Sequence, residues 1–108
     1  MSIKTQLTAV AVSAAVALGV SMSPQAINEL KVHEGVRTTA YADPYYGWTL
    51  PTICYGSTTG VYRGQVVSLA ECDARLKVDI DRACKVVERD LKGTGVTLTQ
   101  GEKDAYCS

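Results

Sequence analysis

The stretch from Val67 to Leu91 constrains the fold of this chain more than any other part of it. Ser68 followed three residues later by Glu71 has the arrangement of a capping box, in which each side chain satisfies a backbone N–H that the first helical turn leaves unpaired. Leu69, Cys72, Leu76, Ile80, Ala83, Val87 and Leu91 then recur at three- and four-residue steps, the spacing that gathers apolar side chains on one face of a helix. Asp73, Arg75, Lys77, Asp79, Asp81, Arg82, Glu88 and Arg89 fall mainly on the other faces, read as its solvated side, and are given no function. Gly93 closes the helix.

Two cysteines of that helix constrain the disulfides. Cys72 and Cys84 stand about 18 Å apart along the axis at ~1.5 Å per residue, whereas a disulfide needs α-carbons within about 7 Å. They cannot pair with each other while the helix is intact, so each pairs with Cys54 or Cys107 or stays reduced. Cys107 follows Cys84 in a neighbouring helix, which favours Cys84–Cys107 with Cys54–Cys72, although sequence alone leaves the pairing open. Zinc is the competing use of four cysteines, but no pair has C-x-x-C spacing and His33 is the single histidine. Disulfides in an oxidising compartment are therefore expected, and no metal.

The remaining elements are short. Ser23-Pro24 caps and opens a helix whose apolar face comprises Ile27, Leu30 and Val32; it runs to Glu34 and stops at Gly35. From Thr38 to Tyr62, turn signals at Asp43-Pro44, Gly47, Pro51, Gly56 and Gly60 punctuate Tyr, Thr and Ile, the texture of short strands and hairpins. Thr99 and Glu102 stand in capping-box positions for a last helix. The whole is an α+β arrangement of one small domain over residues 24–108.

Residues 1–23 differ in composition. Lys4 precedes an uncharged run from Thr5 to Met22, dominated by Ala and Val. As a helix it would measure about 27 Å, just short of a hydrocarbon core of roughly 30 Å. Polar residues interrupt it, and its best cleavage candidate, Ala15-Val16-Ala17, lies inside the apolar stretch. A cleaved signal peptide, an ordinary anchor and a weakly hydrophobic anchor that later leaves the bilayer are all open, each implying export, and the bland alternative is a soluble Ala-rich core helix at the terminus. Composition excludes other classes. Basic and acidic residues are equal at eleven each, giving a net charge of zero, and no basic run is interleaved with aromatics, so nucleic acid is not an expected partner.

The chemistry is concentrated in Glu34-Gly35-Val36-Arg37-Thr38-Thr39-Ala40-Tyr41-Ala42-Asp43 and Pro51-Thr52-Ile53-Cys54-Tyr55-Gly56. Cleaving a glycosidic bond takes one carboxyl group to protonate the leaving oxygen and another, across the sugar, to stabilise positive charge or activate water. A Glu ending an apolar helix and an Asp on the following hairpin supply that pair, and a threonine hydroxyl can hold the attacking water. Two carboxylates nine residues apart would not by themselves separate this reading from surface charge and a turn-forming Asp-Pro.

The full string resembles the endolysins of glycoside hydrolase family 24, the phage lysozymes, and within it members from phages of Gram-negative hosts. The resemblance spans roughly Ile27 to Ser108 and includes Leu98-Thr99-Gln100 and Asp104-Ala105. It implies a lysozyme-like α+β fold with a small β-hairpin lobe, a long connecting helix and a helical C-terminal lobe, of which only the beginning is present. It implies hydrolysis of the β-1,4 bond between N-acetylmuramic acid and N-acetylglucosamine, with inversion, without a cofactor, by a monomer. Glu34 is then the general acid, Asp43 the second carboxylate and Thr52 the water-positioning hydroxyl. The resemblance also gives residues 1–23 a meaning, a signal-arrest-release anchor that tethers an inactive enzyme to the inner membrane until it is released into the periplasm. With no cysteine in that segment, inhibition is steric or topological and does not involve disulfide exchange.

The sequence departs from the family pattern in three places. The interval from Asp43 to Thr52 is longer than usual, through Tyr45-Tyr46-Gly47-Trp48, which makes Thr49 a rival to Thr52. Ser57 stands where the family usually has histidine. The family's second helical lobe continues well beyond Ser108, so these residues alone could be a non-catalytic, membrane-tethered or peptidoglycan-binding remnant. Tyr45, Tyr46 and Trp48 are candidates for stacking on sugar rings as much as for packing the hairpin. His33 is read as structural, since adjacent helical residues point to different faces, and Arg37 as an ion-pair donor near the carboxylates.

Overall fold

A computed structural model describes residues 19–108. The anchor or signal peptide expected at residues 1–23 lies outside the described residues as far as residue 18. The described residues form helix α1 (Pro24–Glu34), strands β1 (Arg37–Asp43) and β2 (Gly47–Cys54), the long helix α2 (Leu69–Leu91) and helix α3 (Gln100–Cys107). None of these helices is long and apolar enough to cross a membrane.

The three helix starts follow from their caps. Ser23 Oγ accepts from the Ala26 amide with Pro24 in the first turn, and Ser68 Oγ accepts from the Glu71 amide. At α3, Thr99 Oγ1 accepts from the Glu102 amide while Glu102 Oε1 accepts from the Thr99 amide; caps of this kind contribute about 1 kcal/mol each. Helix α1 stops at Glu34 because Gly35 adopts φ 70° and donates its amide to the Lys31 carbonyl. The chain can then turn at once into β1.

β1 and β2 pair antiparallel, with Tyr41 opposite Thr52, Ala42 opposite Pro51 and Asp43 opposite Gly47. The register shifts between the last two pairs, so the residues after Gly47 bulge out of the ladder. Along the other edge of β1 the chain returns in extended form, the Ala40 amide donating to the Gln65 carbonyl and the Val67 amide to the Thr38 carbonyl. β2 ends in a tight reversal in which Ile53 and Ser57 exchange both backbone hydrogen bonds, with Cys54 and Gly56 at positive φ. The texture from Thr38 to Tyr62 thus resolves into one hairpin followed by turns.

Helix α2 serves two cores. Its N-terminal part gives Cys72 to a cluster with Ala40, Ile53 and Cys54 from the hairpin. Farther along, Leu76, Ile80 and Cys84 pack with Met22 and Cys107, flanked by Ala26, Ile27 and Leu30 of α1. Tyr55 borders both. Each cluster contains one disulfide, Cys54–Cys72 and Cys84–Cys107, so all four cysteines are cross-linked. Two expectations about apolar faces need correction. The buried line of α2 is Cys72, Leu76, Ile80 and Cys84, all at four-residue steps; Leu69 is exposed, and Ala83, Val87 and Leu91 are only half-buried. Val32, counted with the apolar face of α1, is 85% exposed, because five residues of helix turn it well away from the side that carries Ile27.

Candidate functional site

Glu34 is the last residue of α1 and its carboxylate is exposed. Its Oε1 lies 3.6 Å from the point that a Cβ would occupy on Gly56, in the reversal after β2. The positive φ of Gly56 and the sharp stop at Gly35 therefore bring the end of α1 against the base of the hairpin. The helix is held there from α2 as well. Lys31 Nζ is 3.1 Å from Asp73 Oδ1 and 5.7 Å from the Tyr55 ring centroid, and Tyr55 Oη donates to the same Asp73 oxygen at 3.4 Å. An ion pair so open to solvent contributes little stability; its effect, with the ring contact, is to orient α1.

Asp43 closes β1. Its Oδ1 accepts from the amides of Tyr45 and Tyr46, both at 2.8 Å, the Asx-type turn that aspartate favours before proline. Oδ2 has no hydrogen-bond partner among the described residues. The carboxylate is thus fixed in orientation by one oxygen and presents the other.

Thr52 lies in β2 opposite Tyr41, two residues from Asp43 along β1. It is 5% exposed, and its hydroxyl donates to the Leu50 carbonyl at 3.0 Å. With its hydrogen used in that way, Thr52 Oγ1 can only accept from a ligand or water. Alternation along the strands puts Tyr41 and Thr52 on the face opposite the buried Ala40 and Ile53. Thr49 lies in the bulged stretch, is exposed, and donates to the Tyr46 carbonyl.

The aromatic candidates divide. Tyr45 and Tyr46 project into solvent, at 91% and 67% exposure. Trp48 is partly covered by Arg63, whose Cζ stands 4.6 Å from the ring centroid. Arg37 lies 4.6 Å over the Tyr41 ring and has no carboxylate within ion-pair distance among the described residues, so its expected ion pair is replaced by a cation–π contact. His33 lines a groove between α1 and α3 with Met22, Leu30 and Ala105, away from the hairpin. Ser57 is buried in the reversal through its backbone pairing with Ile53. Sequence reading gave no site role to Gly56, Lys31 or Arg63. Gly56 at least carried a signal, as a glycine inside the motif, whereas nothing in the order of residues ties Arg63 to Trp48.

Residues 31–108 match the family model described as phage lysozyme. The chain belongs to the phage lysozyme family. It is 34% identical over 79 residues to an endolysin of Acyrthosiphon pisum secondary endosymbiont phage 1, an alignment covering 73% of this chain and 50% of that protein. Among solved structures it is similar to the muramidase domain of SpmX from Asticaccaulis excentricus, with a TM-score of 0.66 and 29% identity, covering 81% of this chain and 55% of that one. An endolysin from Escherichia coli O157:H7 phage FAHEc1 superposes with a TM-score of 0.62 and 27% identity, covering 79% and 52%. The chain thus spans about half the length of the relatives it matches.

Proposed function

We propose that this chain is a peptidoglycan-cleaving lysozyme of the endolysin type, acting on the β-1,4 bond between N-acetylmuramic acid and N-acetylglucosamine. The reading is carried by the placement of three groups around one hairpin: Glu34 against its base, Asp43 at the far end of β1 and Thr52 between them on β2. Glu34 protonates the departing glycosidic oxygen. Asp43, with Oδ1 held by two amides and Oδ2 open, faces the developing positive charge and the attacking water. Thr52 accepts a hydrogen bond from that water, leaving a lone pair directed at the sugar. Its location in the regular part of the ladder favours it over Thr49, which sits in the bulge. A water held between acid and base is the arrangement for inversion, and every step uses side chains of the chain itself.

The endolysin reading extends to location. The uncharged run from Thr5 to Met22 is read as a signal-arrest-release element that delivers the enzyme to the periplasmic face of the host inner membrane and then to the periplasm; the two disulfides support an oxidising compartment. The test is the clearing of outer-membrane-permeabilised cells by wild type and by Glu34→Gln. Wild type is expected to clear, and the variant to be slower by about 100-fold or more. Equal clearing by both would remove Glu34 from the mechanism, and clearing by neither would favour a non-catalytic peptidoglycan-binding chain.

A further inference from the structure

The five described arginines fall into two groups. Those of α2 are neutralised by carboxylates: Arg75 by Glu71 at 3.1 Å, Arg82 by Asp79 at 3.5 Å and Arg89 by Asp90 at 3.6 Å. Those of the hairpin region, Arg37 and Arg63, have no carboxylate partner among the described residues and lie instead on aromatic rings, each at 4.6 Å. Stacking engages the flat face of a guanidinium and leaves the N–H donors around its edge available. Arg63 makes no hydrogen bond among the described residues, and its side chain is exposed. The ring orders it while its donors stay open.

Its position matters. The segment after Arg63 runs along the outer edge of β1, through the bonds of Gln65 and Val67 to Ala40 and Thr38, whereas Trp48 belongs to β2 on the other side of β1. Arg63 therefore reaches across the width of the hairpin, at the end where Asp43 pairs with Gly47. Between Gly35 and Val67 Asp43 is the only acidic residue, beside Arg37 and Arg63, so this lobe is locally cationic in a chain of zero net charge. One face of Trp48 is also covered by the guanidinium, which leaves less of it for stacking on a sugar.

We propose that Arg63, laid on Trp48, forms a carboxylate-binding subsite that takes the acidic substituents of muramyl residues; this rests on the peptidoglycan reading above. N-acetylated sugars are neutral, and the free acids of such a strand are the carboxylates of the stem peptides, with a lactyl carboxylate exposed only where the peptide amide-bonded to it has been removed. A planar donor fork with no structural acid to satisfy distinguishes that strand from a neutral polymer of similar shape.

The experiment is cosedimentation of the 108-residue chain, carrying Glu34→Gln to prevent cleavage, with purified sacculi, either native or with their carboxylates amidated. The parent is expected to bind native sacculi about tenfold more tightly than amidated ones, the effect of losing one charge-assisted contact. Adding Arg63→Gln should lower affinity for native sacculi by a similar factor and abolish the sensitivity to amidation, with an unchanged circular dichroism spectrum. Arg63→Lys, which keeps the charge and loses the fork, should restore only part of the difference. Amidase-stripped strands, in which the peptide acids are gone and the lactyl carboxylate is freed, divide the sources. Loss of the dependence on Arg63 there assigns the stem peptide, and its persistence shows that a freed lactyl carboxylate also fills the subsite. Equal binding of native sacculi with and without Arg63→Gln overturns the subsite while leaving the peptidoglycan reading intact. No binding of the parent to either form of sacculus overturns both.

Discussion

Ser23 caps the helix that ends in Glu34, and Asp104 of α3 grips that cap at two points: the Ser23 amide donates to Oδ1 at 2.7 Å and its hydroxyl to Oδ2 at 2.9 Å. The same hydroxyl accepts from the Ala26 amide at 3.2 Å, so it links carboxylate and helix. Gln100 Nε2 completes the cluster, donating to Asp104 Oδ1 at 2.9 Å and to the Ser21 carbonyl at 2.8 Å. No side chain of α1 is fully buried. Its position therefore depends on this clamp at one end and on Lys31 and Asp73 near the other.

The clamp predicts a pH signature. The Ser23 amide, and after it the Gln100 and Ser23 side chains, hold the Asp104 carboxyl below its ordinary value of 3.8, against an opposing push from burial. Since the folded value is depressed, the stabilisation is complete above the unfolded value and is lost as pH falls through the folded one. Asp104→Asn should thus lower Tm at neutral pH, and the gap from wild type should begin to narrow as the pH falls through about 3.8 and close only once it has passed the lower folded value, where the wild-type carboxyl is itself protonated. Thermal melts across that range check it; a gap independent of pH would mean that the clamp does not act through charge.

Thr52 and Thr49 separate by substitution. Thr52→Val is close to isosteric and removes a partly satisfied hydroxyl, so it should cost only about 1 kcal/mol in stability. On the lysozyme reading it should nevertheless lower the cell-clearing rate by about 100-fold, the scale of losing a catalytic positioning group. Thr49→Val, on the exposed bulge, should change the rate by no more than about twofold, since surface changes away from a site have effects within roughly 0.5 kcal/mol. The opposite ranking would transfer the water-positioning role to the bulge.

How much of this was legible in the sequence depended on the range of the interaction. Caps at Ser23, Ser68 and Thr99 and the stop at Gly35 were readable because the groups that satisfy each other lie within a few residues. The apolar line of α2 was readable in period and less so in membership. Periodicity admits Ala83 and Cys84 equally, and only the bond to Cys107 decides that Cys84 faces inward. The motif from Glu34 to Gly56 identified the candidate carboxylates, yet not the approach of Glu34 to Gly56, which needs the path of the turn after β2. Asp104 on Ser23 and Arg63 on Trp48 join distant segments through single side chains, and no periodicity or local spacing encodes either. The corrected placement of Val32 has a simpler cause, a residue assigned to the apolar face by its type when helical phase puts it outside.

The two disulfides should have separable effects, because each fastens α2 to a different partner. Closing loops with sequence separations of 18 and 23, each is worth about 3 kcal/mol in the chain-entropy model, so removing either pair as alanines should lower stability by comparable amounts in a denaturant melt. Their consequences for the clamp should differ. Cys84–Cys107 pins α3 to α2 and so fixes the helix that carries Asp104. Without it, Asp104 loses its hold on Ser23, and the acid-dependent part of the stability lost through Asp104→Asn should shrink along with the total. Cys54–Cys72 fastens the hairpin to α2 in the other core, so its loss should leave that acid dependence in place while slowing cell clearing through looser placement of Asp43 and Thr52. Combining Asp104→Asn with each cysteine pair in a double-mutant cycle measures the coupling directly. Coupling to Cys54–Cys72 as large as that to Cys84–Cys107 would show that the two cores unfold as one unit.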